Sequence, residues 1–222
     1  MSRQLEGVTE VDYLAPEFAH SALLTIDLQQ DFLGGGAFEV TGTSLVLPQV
    51  IRLARAYRQA QLPVVHAVRL YASDGKDVDL PRRALIEGGL QLVAPESPGS
   101  QLAQGLLASD AELDSAALVR GEFQELGKSE WIMFKPRWGA FYRTRLDDLL
   151  RSRGISTVVV VGCNLPNCPR ASLFEASERD YRTVLVEDAV SQCSDERIAD
   201  LAAIGVRILQ TAEVLEAIAQ LS

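Results

Sequence analysis

A cysteine stands where a buried strand is predicted to pass into a helix. The β-branched run 158–161 ends at Gly162 and predicts a strand that is buried on both faces. Cys168 is followed by Pro169, which favours the first turn of a helix because its missing N–H would lack an intrahelical partner there. Free N–H groups and the helix dipole would favour a thiolate nucleophile at Cys168. Cys168 is therefore a candidate catalytic cysteine, the alternative being a small buried apolar residue.

Two further reactive side chains follow predicted strands. Asp27 ends the apolar run 22–27, and Lys135 ends the run 130–135. Ligands of an open parallel sheet bind outside the carboxyl ends of its strands, so these side chains can meet. Cys168 would attack a carbonyl carbon. Asp27 would accept the thiol proton and return it to a leaving amine, or activate water, and Lys135 would hold Asp27 and favour the thiolate. Alone, such an Asp or Lys is more often a cap or a solvated side chain.

The elements that would position these residues alternate between strands and helices, which is typical of parallel βαβ units. The predicted strands are 22–27, 63–68, 130–135, 156–162, 183–187 and 206–209. The predicted helices are 44–61, 81–86, 142–153, 169–180, 195–204 and 212–221. In the first helix, Pro48 is expected to mark the start of the regular part. The pattern predicts one domain over 1–222 with a three-layer α/β/α fold around a six-stranded, mostly parallel, Rossmann-like sheet.

The segment 70–130 lacks this regularity. It contains a turn at 74–76, a short predicted helix at 81–86 and a loop-like stretch at 93–105. Its apolar content is too high for a linker. We therefore expect an irregular insertion that forms a wall or lid near the active site.

The composition indicates a globular protein with one sizeable core. The chain has 222 residues, of which 47% are hydrophobic and 23% charged, and its net charge is −9. This acidic balance disfavours binding to nucleic acid and to anionic membranes. No apolar run is long enough to span a bilayer, and the segment 1–18 lacks the apolar stretch of a signal peptide. We expect a cytoplasmic protein whose three cysteines are reduced.

Three motifs, together with the pattern of residues 176–191, resemble those of the isochorismatase-like cysteine hydrolases. This family includes nicotinamidases, N-carbamoylsarcosine amidase and ureidoacrylate amidohydrolases. The motifs are SALLTIDLQQDF (21–32), FKPRWGAFYRTRL (134–146) and GCNLPNCPRAS (162–172). The resemblance covers nearly the whole chain, and it implies that Asp27, Lys135 and Cys168 form the catalytic triad.

The resemblance also implies a particular loop geometry before the nucleophile. The family carries a cis peptide bond at the position that corresponds here to Cys163 and Asn164. Such a bond would aim the N–H groups of Asn164 and Cys168 at one point, which would make an oxyanion hole.

Metal binding is not expected. The nicotinamidase metal site needs an Asp and histidines after the second strand, whereas this chain offers only His20 and His66. We therefore predict no catalytic metal and no cofactor. His66 lies inside a predicted strand, where a core histidine bonded to the backbone is favoured over a metal ligand.

Residues that would contact the substrate are less constrained by the motifs. Phe32 and Trp138 are expected to form apolar pocket walls, and Tyr142 is a further candidate. Arg69 follows the second predicted strand and would either anchor a carboxylate or form a structural ion pair. Cys163 is expected to pack rather than to react.

The resemblance implies a metal-independent amidohydrolase. It would cleave the C–N bond of a small amide, ureide or carbamoyl compound through a thioester on Cys168, and relatives commonly assemble as dimers or tetramers. One alternative is the vinyl-ether hydrolysis of isochorismate, against which the presence of Cys168 weighs. The other is a non-catalytic interaction protein on the same fold, against which the intact triad weighs.

Overall fold

The computed structural model describes residues 11–221. Residues 1–10, which make up most of the N-terminal segment considered above, and residue 222 lie outside the described residues. The strands are β1 (Ser21–Ile26), β2 (Val64–Val68), β3 (Gln124–Gly127), β4 (Glu130–Phe134), β5 (Thr157–Gly162), β6 (Arg182–Val190) and β7 (Arg207–Leu209). The α-helices are α1 (Thr43–Gln59), α2 (Leu80–Glu87), α3 (Ser115–Val119), α4 (Leu146–Ser152), α5 (Cys168–Ser177), α6 (Asp195–Ala203) and α7 (Thr211–Ala219). Short 3-10 turns cover Phe18–His20, Gln30–Phe32 and Pro98–Ser100.

All seven strands form one sheet, in the order β3-β4-β2-β1-β5-β6-β7. Every neighbouring pair is parallel except β3 with β4, which is antiparallel. The predicted three-layer, mostly parallel α/β/α fold is therefore confirmed, but the predicted count of six strands is one too few.

The missed strand, β3, has almost no hydrophobic signal. Its four residues alternate between half-buried and exposed, and Leu126 is its one large apolar side chain. An edge strand of this kind needs only one partner, so its sequence does not carry the apolar run that marks a central strand. Helix α3 in the same insertion has only five residues, with the Asp114 side chain accepting a hydrogen bond from the Ala117 N–H at its start.

Alternate residues of the central strands pack into two separate cores, one on each face of the sheet. In β5, Val159 and Val161 face one core while Val158 and Val160 face the other, and all four are fully buried. Helices α1 and α7 cover the first face, and helices α4, α5 and α6 cover the second. Burial on both faces explains the unbroken valine run. Among residues 11–221, no helix is long and apolar enough to cross a membrane.

Helix α1 begins earlier than predicted. The regular helix starts at Thr43, five residues before Pro48, so the expectation that it begins at the proline is wrong. The Thr43 hydroxyl lies 3.0 Å from the Ser191 hydroxyl and is fully buried, which ties the helix start to the end of β6. This contact joins residues far apart in sequence, so the helix propensity of the local sequence does not predict it.

Strand β1 lies at the centre of the sheet, and later strands were added on both of its sides. The sheet grows to one side through β2 and β4 and to the other through β5, β6 and β7. The connection after β1 leads to β2 on one side, and the connection after β5 leads to β6 on the other side. Because these two connections diverge, a crevice opens at the carboxyl ends of β1 and β5. Asp27 follows β1, and the segment from Cys163 to Cys168 follows β5, so both border this crevice.

At the opposite, amino-terminal end of β4, a buried ion-pair cluster joins the strands to α1. Glu130 accepts hydrogen bonds from the Arg58 guanidinium and pairs with His66 Nε2 at 2.8 Å. His66 Nδ1 lies 2.8 Å from the Thr25 hydroxyl. His66 is thus a core histidine, as expected, but its partners are side chains rather than the backbone. Burial lowers the pKa of His66 and favours the neutral ring.

This cluster predicts acid-sensitive stability. Burial opposes ionisation of Glu130, but hydrogen bonds from Arg58 and His66 outweigh it and lower the pKa of Glu130 to about 2. A carboxylate with a lowered pKa stabilises the fold above its unfolded pKa near 4.5, and that contribution is lost as the pH falls toward 2. Urea unfolding should show a loss of about 3 kcal/mol from this group between pH 5 and pH 2.

The Glu130→Gln variant is the control for this prediction. It should be less stable than the wild type at pH 7, because Arg58 and His66 lose their anionic partner, and its stability should change less between pH 5 and pH 2. Parallel pH profiles for the two proteins would show that Glu130 is not the acid-labile group.

Candidate active site

Asp27 occupies the first position after β1, at the crevice. Its backbone has a φ of 51°, in the left-handed region that few residues other than glycine adopt. The Asp27 N–H donates to the Ala67 carbonyl at 2.9 Å, which holds the turn against β2. A carboxylate in a constrained backbone conformation at a strand end is typical of a functional position.

Lys135 is completely buried and reaches Asp27 from two strands away. It follows β4, whose neighbour β2 lies between it and β1. The Lys135 Nζ donates to Asp27 Oδ2 at 2.9 Å, and the exposed fractions of the two residues are 0% and 4%. The other carboxylate oxygen, Asp27 Oδ1, is buried and has no hydrogen-bond partner among residues 11–221. One oxygen of Asp27 is thus fixed by the ammonium group, and the other is available to accept a proton.

Cys168 is the first residue of α5, one residue before the predicted start of this helix at Pro169. The loop that carries it starts at Gly162, whose φ is 125° and where a Cβ would lie 2.3 Å from the Ile26 carbonyl oxygen. Only glycine allows this close approach of β5 to β1. The next residue, Cys163, donates its N–H to the same Ile26 carbonyl at 2.9 Å. The loop is therefore fastened beside the end of β1, which brings Cys168 to the crevice that holds Asp27.

The electrostatic environment of Cys168 differs from the prediction. The helix start was expected to lower the pKa of the thiol, but burial raises it to about 12, and the negative charge of Asp27 adds to this effect. Lys135 and Arg69 act in the opposite direction without compensating for it. The residue is only 9% exposed, so desolvation outweighs the helix dipole. With its pKa raised in this way, the Cys168 thiol is neutral near pH 7 and would need a base to react as a nucleophile.

A small cavity joins the candidate catalytic groups. It has about 30 Å³ accessible to the centre of a water molecule, which is room for about two waters. Its lining residues are Asp27, Phe32, Val40, Arg69, Tyr71, Arg82, Trp138, Cys163, Asn164, Asn167 and Cys168. The structure thus brings Asp27 and Cys168 to one cavity, with Lys135 behind Asp27 rather than in the wall.

The loop before Cys168 corrects one expectation. The peptide bond between Cys163 and Asn164 is trans, and no cis bond occurs in residues 11–221. Asn164 instead adopts a φ of 66°, which Asn tolerates better than most residues, and this reverses the chain after β5. The Asn164 N–H donates to the Ser191 hydroxyl at 2.8 Å, so it does not serve as the predicted oxyanion donor. The Cys168 N–H makes no hydrogen bond within the described residues and stays available.

Arg69 forms an ion pair, which is one of the two roles left open by the sequence. Its guanidinium donates to Asp79, to the Tyr71 hydroxyl at 2.9 Å and to the Lys135 carbonyl at 3.2 Å. Although Arg69 lines the cavity, it is only 2% exposed and its charge is already balanced by Asp79.

The expected substrate contacts divide between two cavities. Phe32 is buried in the wall of the inner cavity, and Trp138 borders both the inner cavity and an outer one of about 490 Å³. Tyr142, which is 46% exposed, borders the outer cavity and not the inner one, and its contact with substrate stays a prediction. The Trp138 Nε1 donates to Asp79 Oδ2 at 3.3 Å, and the indole therefore separates the two spaces.

Sequence reasoning missed five residues of the cavity region: Val40 and Asn167, which line the inner cavity, and three residues of the insertion. Tyr71 and Arg82 line the inner cavity, and Asp79 binds both Arg69 and Trp138 beside it. The Asp79-Leu80-Pro81 sequence was a usable signal, because an acid two residues before a proline is typical of a helix start. Arg82 follows directly, but nothing in the sequence shows that this helix borders the cavity.

The two histidines do not form a metal site. His66 is enclosed by Thr25 and Glu130, while His20 lies in an exposed 3-10 turn before β1. Within residues 11–221, no three His, Cys, Asp or Glu side chains are grouped so that they could hold a metal ion together. Cys163 is buried in an apolar cluster beside the inner cavity, and burial raises its pKa to about 12.

Comparison with known proteins gives consistent matches over most of the chain. The family model described as "Isochorismatase domain" matches residues 21–218. A probable inactive nicotinamidase of Arabidopsis thaliana is 30% identical over 203 residues, which cover 87% of this chain and 94% of that protein. Ureidoacrylate amidohydrolase RutB of Methylobacterium radiotolerans is 27% identical over 200 residues, 83% of this chain and 72% of that protein. The crystal structure of an isochorismatase family protein from Desulfovibrio vulgaris matches with a TM-score of 0.76 at 29% identity, over 90% of this chain and 98% of that one.

Proposed function

Because the chain belongs to the isochorismatase family of hydrolases, we propose that it cleaves the C–N bond of a small amide, ureide or carbamoyl compound through a thioester on Cys168. One observation carries the proposal. Asp27 Oδ1 is a buried carboxylate oxygen without a hydrogen-bond partner among the described residues, and Asp27 and Cys168 line the same cavity. A neutral thiol and an unengaged base in one small cavity are what acyl transfer to sulfur requires.

The first half of the reaction forms the thioester. The Cys168 thiol passes its proton to Asp27 Oδ1 as the sulfur attacks the carbonyl carbon of the substrate, and the carbonyl electron pair moves onto oxygen. The tetrahedral intermediate collapses when Asp27 returns the proton to the departing nitrogen. The C–N bond breaks, ammonia or an amine leaves, and the acyl group remains on sulfur.

The second half releases the acid. Asp27, again a carboxylate, takes a proton from a water molecule that attacks the thioester carbon. The C–S bond breaks, the carboxylic acid leaves, and the sulfur recovers its proton from Asp27. The cavity has room for about two waters in the free protein, which is enough for the hydrolytic water.

Lys135 and the loop backbone support this chemistry without reacting. Lys135 fixes Asp27 Oδ2 at 2.9 Å and thereby directs Oδ1, so it is a positioning residue. The free N–H of Cys168 at the start of α5 would donate to the developing oxyanion. Because the Asn164 N–H is bound to Ser191, a second donor would have to come from a side chain in the wall, and the Asn167 amide is the candidate.

The names of the relatives support a C–N bond as the target but do not fix the substrate. RutB is named an amidohydrolase of ureidoacrylate, whereas the Arabidopsis relative is named probably inactive. A test of the proposal must therefore separate three outcomes: amide hydrolysis, ether hydrolysis and no catalysis.

The deciding experiment combines turnover with detection of the intermediate. Ammonia release is measured over a panel of small amides, ureides and carbamoyl compounds, with pyruvate release from isochorismate as a separate arm. Acid quenching during turnover, followed by peptide mass spectrometry, should find the acyl group of an active substrate on Cys168. The Cys193→Ser variant is the matched control, because Cys193 is half-buried and outside the cavity, and it should retain both activity and adduct.

Three results would contradict the proposal. The first is amide turnover with no adduct on Cys168 under any quench time. The second is release of pyruvate from isochorismate without release of ammonia from any amide. The third is the absence of turnover in every arm, which would favour the non-catalytic interaction protein.

A further inference from the structure

From the walls of the inner cavity, we infer that the substrate carries a carboxylate, which Arg82 binds at the mouth of the cavity while Cys168 attacks the amide carbon. This inference rests on the proposed function and narrows its substrate class to small amido, ureido or carbamoyl acids.

Among the charged residues of the cavity wall, Arg82 is the one without a counter-ion in residues 11–221. Three charged residues line the cavity. Asp27 is paired with Lys135, and Arg69 is paired with Asp79. The Arg82 guanidinium has no carboxylate within 4 Å and makes no side-chain hydrogen bond among residues 11–221. Its donors are therefore available to a ligand, and they form the only uncompensated charge on the described wall.

Arg82 is held in place although it is not paired. It lies in the first turn of α2, and its N–H donates to the Asp79 carbonyl at 2.9 Å. Asp79 is in turn bound by Arg69, Tyr71 and Trp138. The start of α2 is thus anchored to the floor of the site, and Arg82 projects from that anchor.

The orientation of the guanidinium also suits an anion. Its central carbon lies 4.2 Å from the centroid of the Phe38 ring, which is the geometry of a cation–π contact. A guanidinium in cation–π contact with an aromatic ring still has N–H donors free, and a pair of these donors matches the two oxygens of a carboxylate. Phe38 is partly buried against the apolar cluster that contains Phe32 and Tyr71, so the platform is fixed.

The overall charge of the protein favours a local cation in the binding of such a substrate. The net charge is −9, and the long-range field therefore repels anions. A neutral amide would leave the half-buried Arg82 guanidinium without a countercharge at the wall. A carboxylate ligand supplies the missing countercharge.

The first experiment compares acids with their neutral analogues. Kcat/KM for ammonia release is measured for succinamic acid, N-carbamoylglycine and ureidoacrylate and for the methyl ester of each. The wild type should prefer the acids. Arg82→Gln should lower kcat/KM for the acids by about 10- to 100-fold and change the esters less than about twofold, since a hydrogen bond to a charged group is lost. Arg82→Lys should lower kcat/KM for the acids by an intermediate factor, because lysine keeps the positive charge but cannot form the bidentate hydrogen bonds of a guanidinium.

Lys76→Gln is the matched control for this comparison. Lys76 is an exposed cation on the same insertion and does not line the cavity, so its loss changes the net charge equally. It should leave the preference for acids unchanged. An equal loss in Lys76→Gln and Arg82→Gln would mean that only the general field matters, and unchanged acid preference in Arg82→Gln would overturn the inference.

A second experiment does not depend on amide hydrolysis. At pH 9, Cys168 is alkylated with iodoacetate and with iodoacetamide, which differ in charge but deliver the same carbon to sulfur. Arg82 should raise the iodoacetate-to-iodoacetamide rate ratio, and Arg82→Gln should lower it by about tenfold while Lys76→Gln leaves it unchanged. If no amide is hydrolysed but the ratio responds, the proposed function fails and the anion site stands. If amides are hydrolysed but neither readout responds to Arg82, the anion site fails.

Discussion

Replacing Asp27 by Asn should lower kcat/KM for amide hydrolysis by about 10²- to 10⁴-fold and, at the same time, make Cys168 easier to alkylate. The two effects separate because Asp27 acts on the thiol in two ways. In the proposed mechanism it is the base that removes the proton, and its negative charge helps to raise the pKa of the thiol to about 12. The Asn side chain removes both, and the charges of Lys135 and Arg69 then favour the thiolate.

The measurement is the rate of Cys168 alkylation by iodoacetamide between pH 7 and pH 10, read by peptide mass spectrometry beside the turnover assay. In the wild type, this rate should rise about tenfold per pH unit without a plateau, because the pKa lies above the range. In Asp27→Asn, the rate at pH 8 should be higher than in the wild type. The Cys168→Ser variant defines the background rate of the turnover assay. Circular dichroism verifies that each variant is folded.

Slower alkylation in Asp27→Asn, in parallel with slower turnover, would contradict the assignment. That result would mean that Asp27 stabilises the thiolate in the resting protein, as in a preformed ion pair, and that the burial of Cys168 does not control its pKa.

Replacing Lys135 by Met should lower the free energy of unfolding by about 3–5 kcal/mol. Lys135 is completely buried, and Asp27 is 4% exposed, so the substitution leaves a carboxylate without its countercharge in a site that water hardly reaches. For a chain of this length, the loss corresponds to a fall in Tm of about 6–20 °C. Thermal unfolding followed by circular dichroism measures it, and turnover falls with it because Asp27 Oδ2 is no longer fixed.

The double variant Asp27→Asn, Lys135→Met is the control. Removing both charges leaves no unpaired ion, so the double variant should be more stable than the sum of the two single losses predicts, by more than about 1 kcal/mol. Its activity should not return, because the base is absent. Additive losses of stability would show that the 2.9 Å contact contributes no coupling and that each residue stabilises the fold separately.

The central part of the fold was predictable because its signals are strong and local. The valine run of β5 and the apolar runs of β1, β2 and β4 predict buried parallel strands, and each of these strands is present close to its predicted residues. Strand β3 was missed because an exposed edge strand does not require an apolar run. The early start of α1 depends on the contact between Thr43 and Ser191, which only the tertiary structure creates.

Within the site, sequence position alone located the groups at strand ends. Parallel topology requires the ends of β1, β4 and β5 to lie on one edge, and the 2.9 Å contact between Lys135 and Asp27 follows from that topology. The state of the thiol was not predictable, since burial competes with the helix dipole and the outcome depends on packing from distant segments. The capture of the Asn164 N–H by Ser191 likewise depends on a residue from the end of β6.

The candidate catalytic residues and the outer wall residues of the cavity lie in different parts of the fold, which has a consequence for engineering. The groups that would carry out the reaction are buried, because Asp27 and Lys135 directly follow β1 and β4 and Cys168 begins α5, whereas Arg82 and Trp138 are partly exposed and belong to peripheral segments. A combinatorial library restricted to those segments would sample new ligand shapes at little risk to folding. Randomising the strand ends would instead put chemistry and structural integrity at stake together, so specificity in this scaffold is best redesigned from the outside inward.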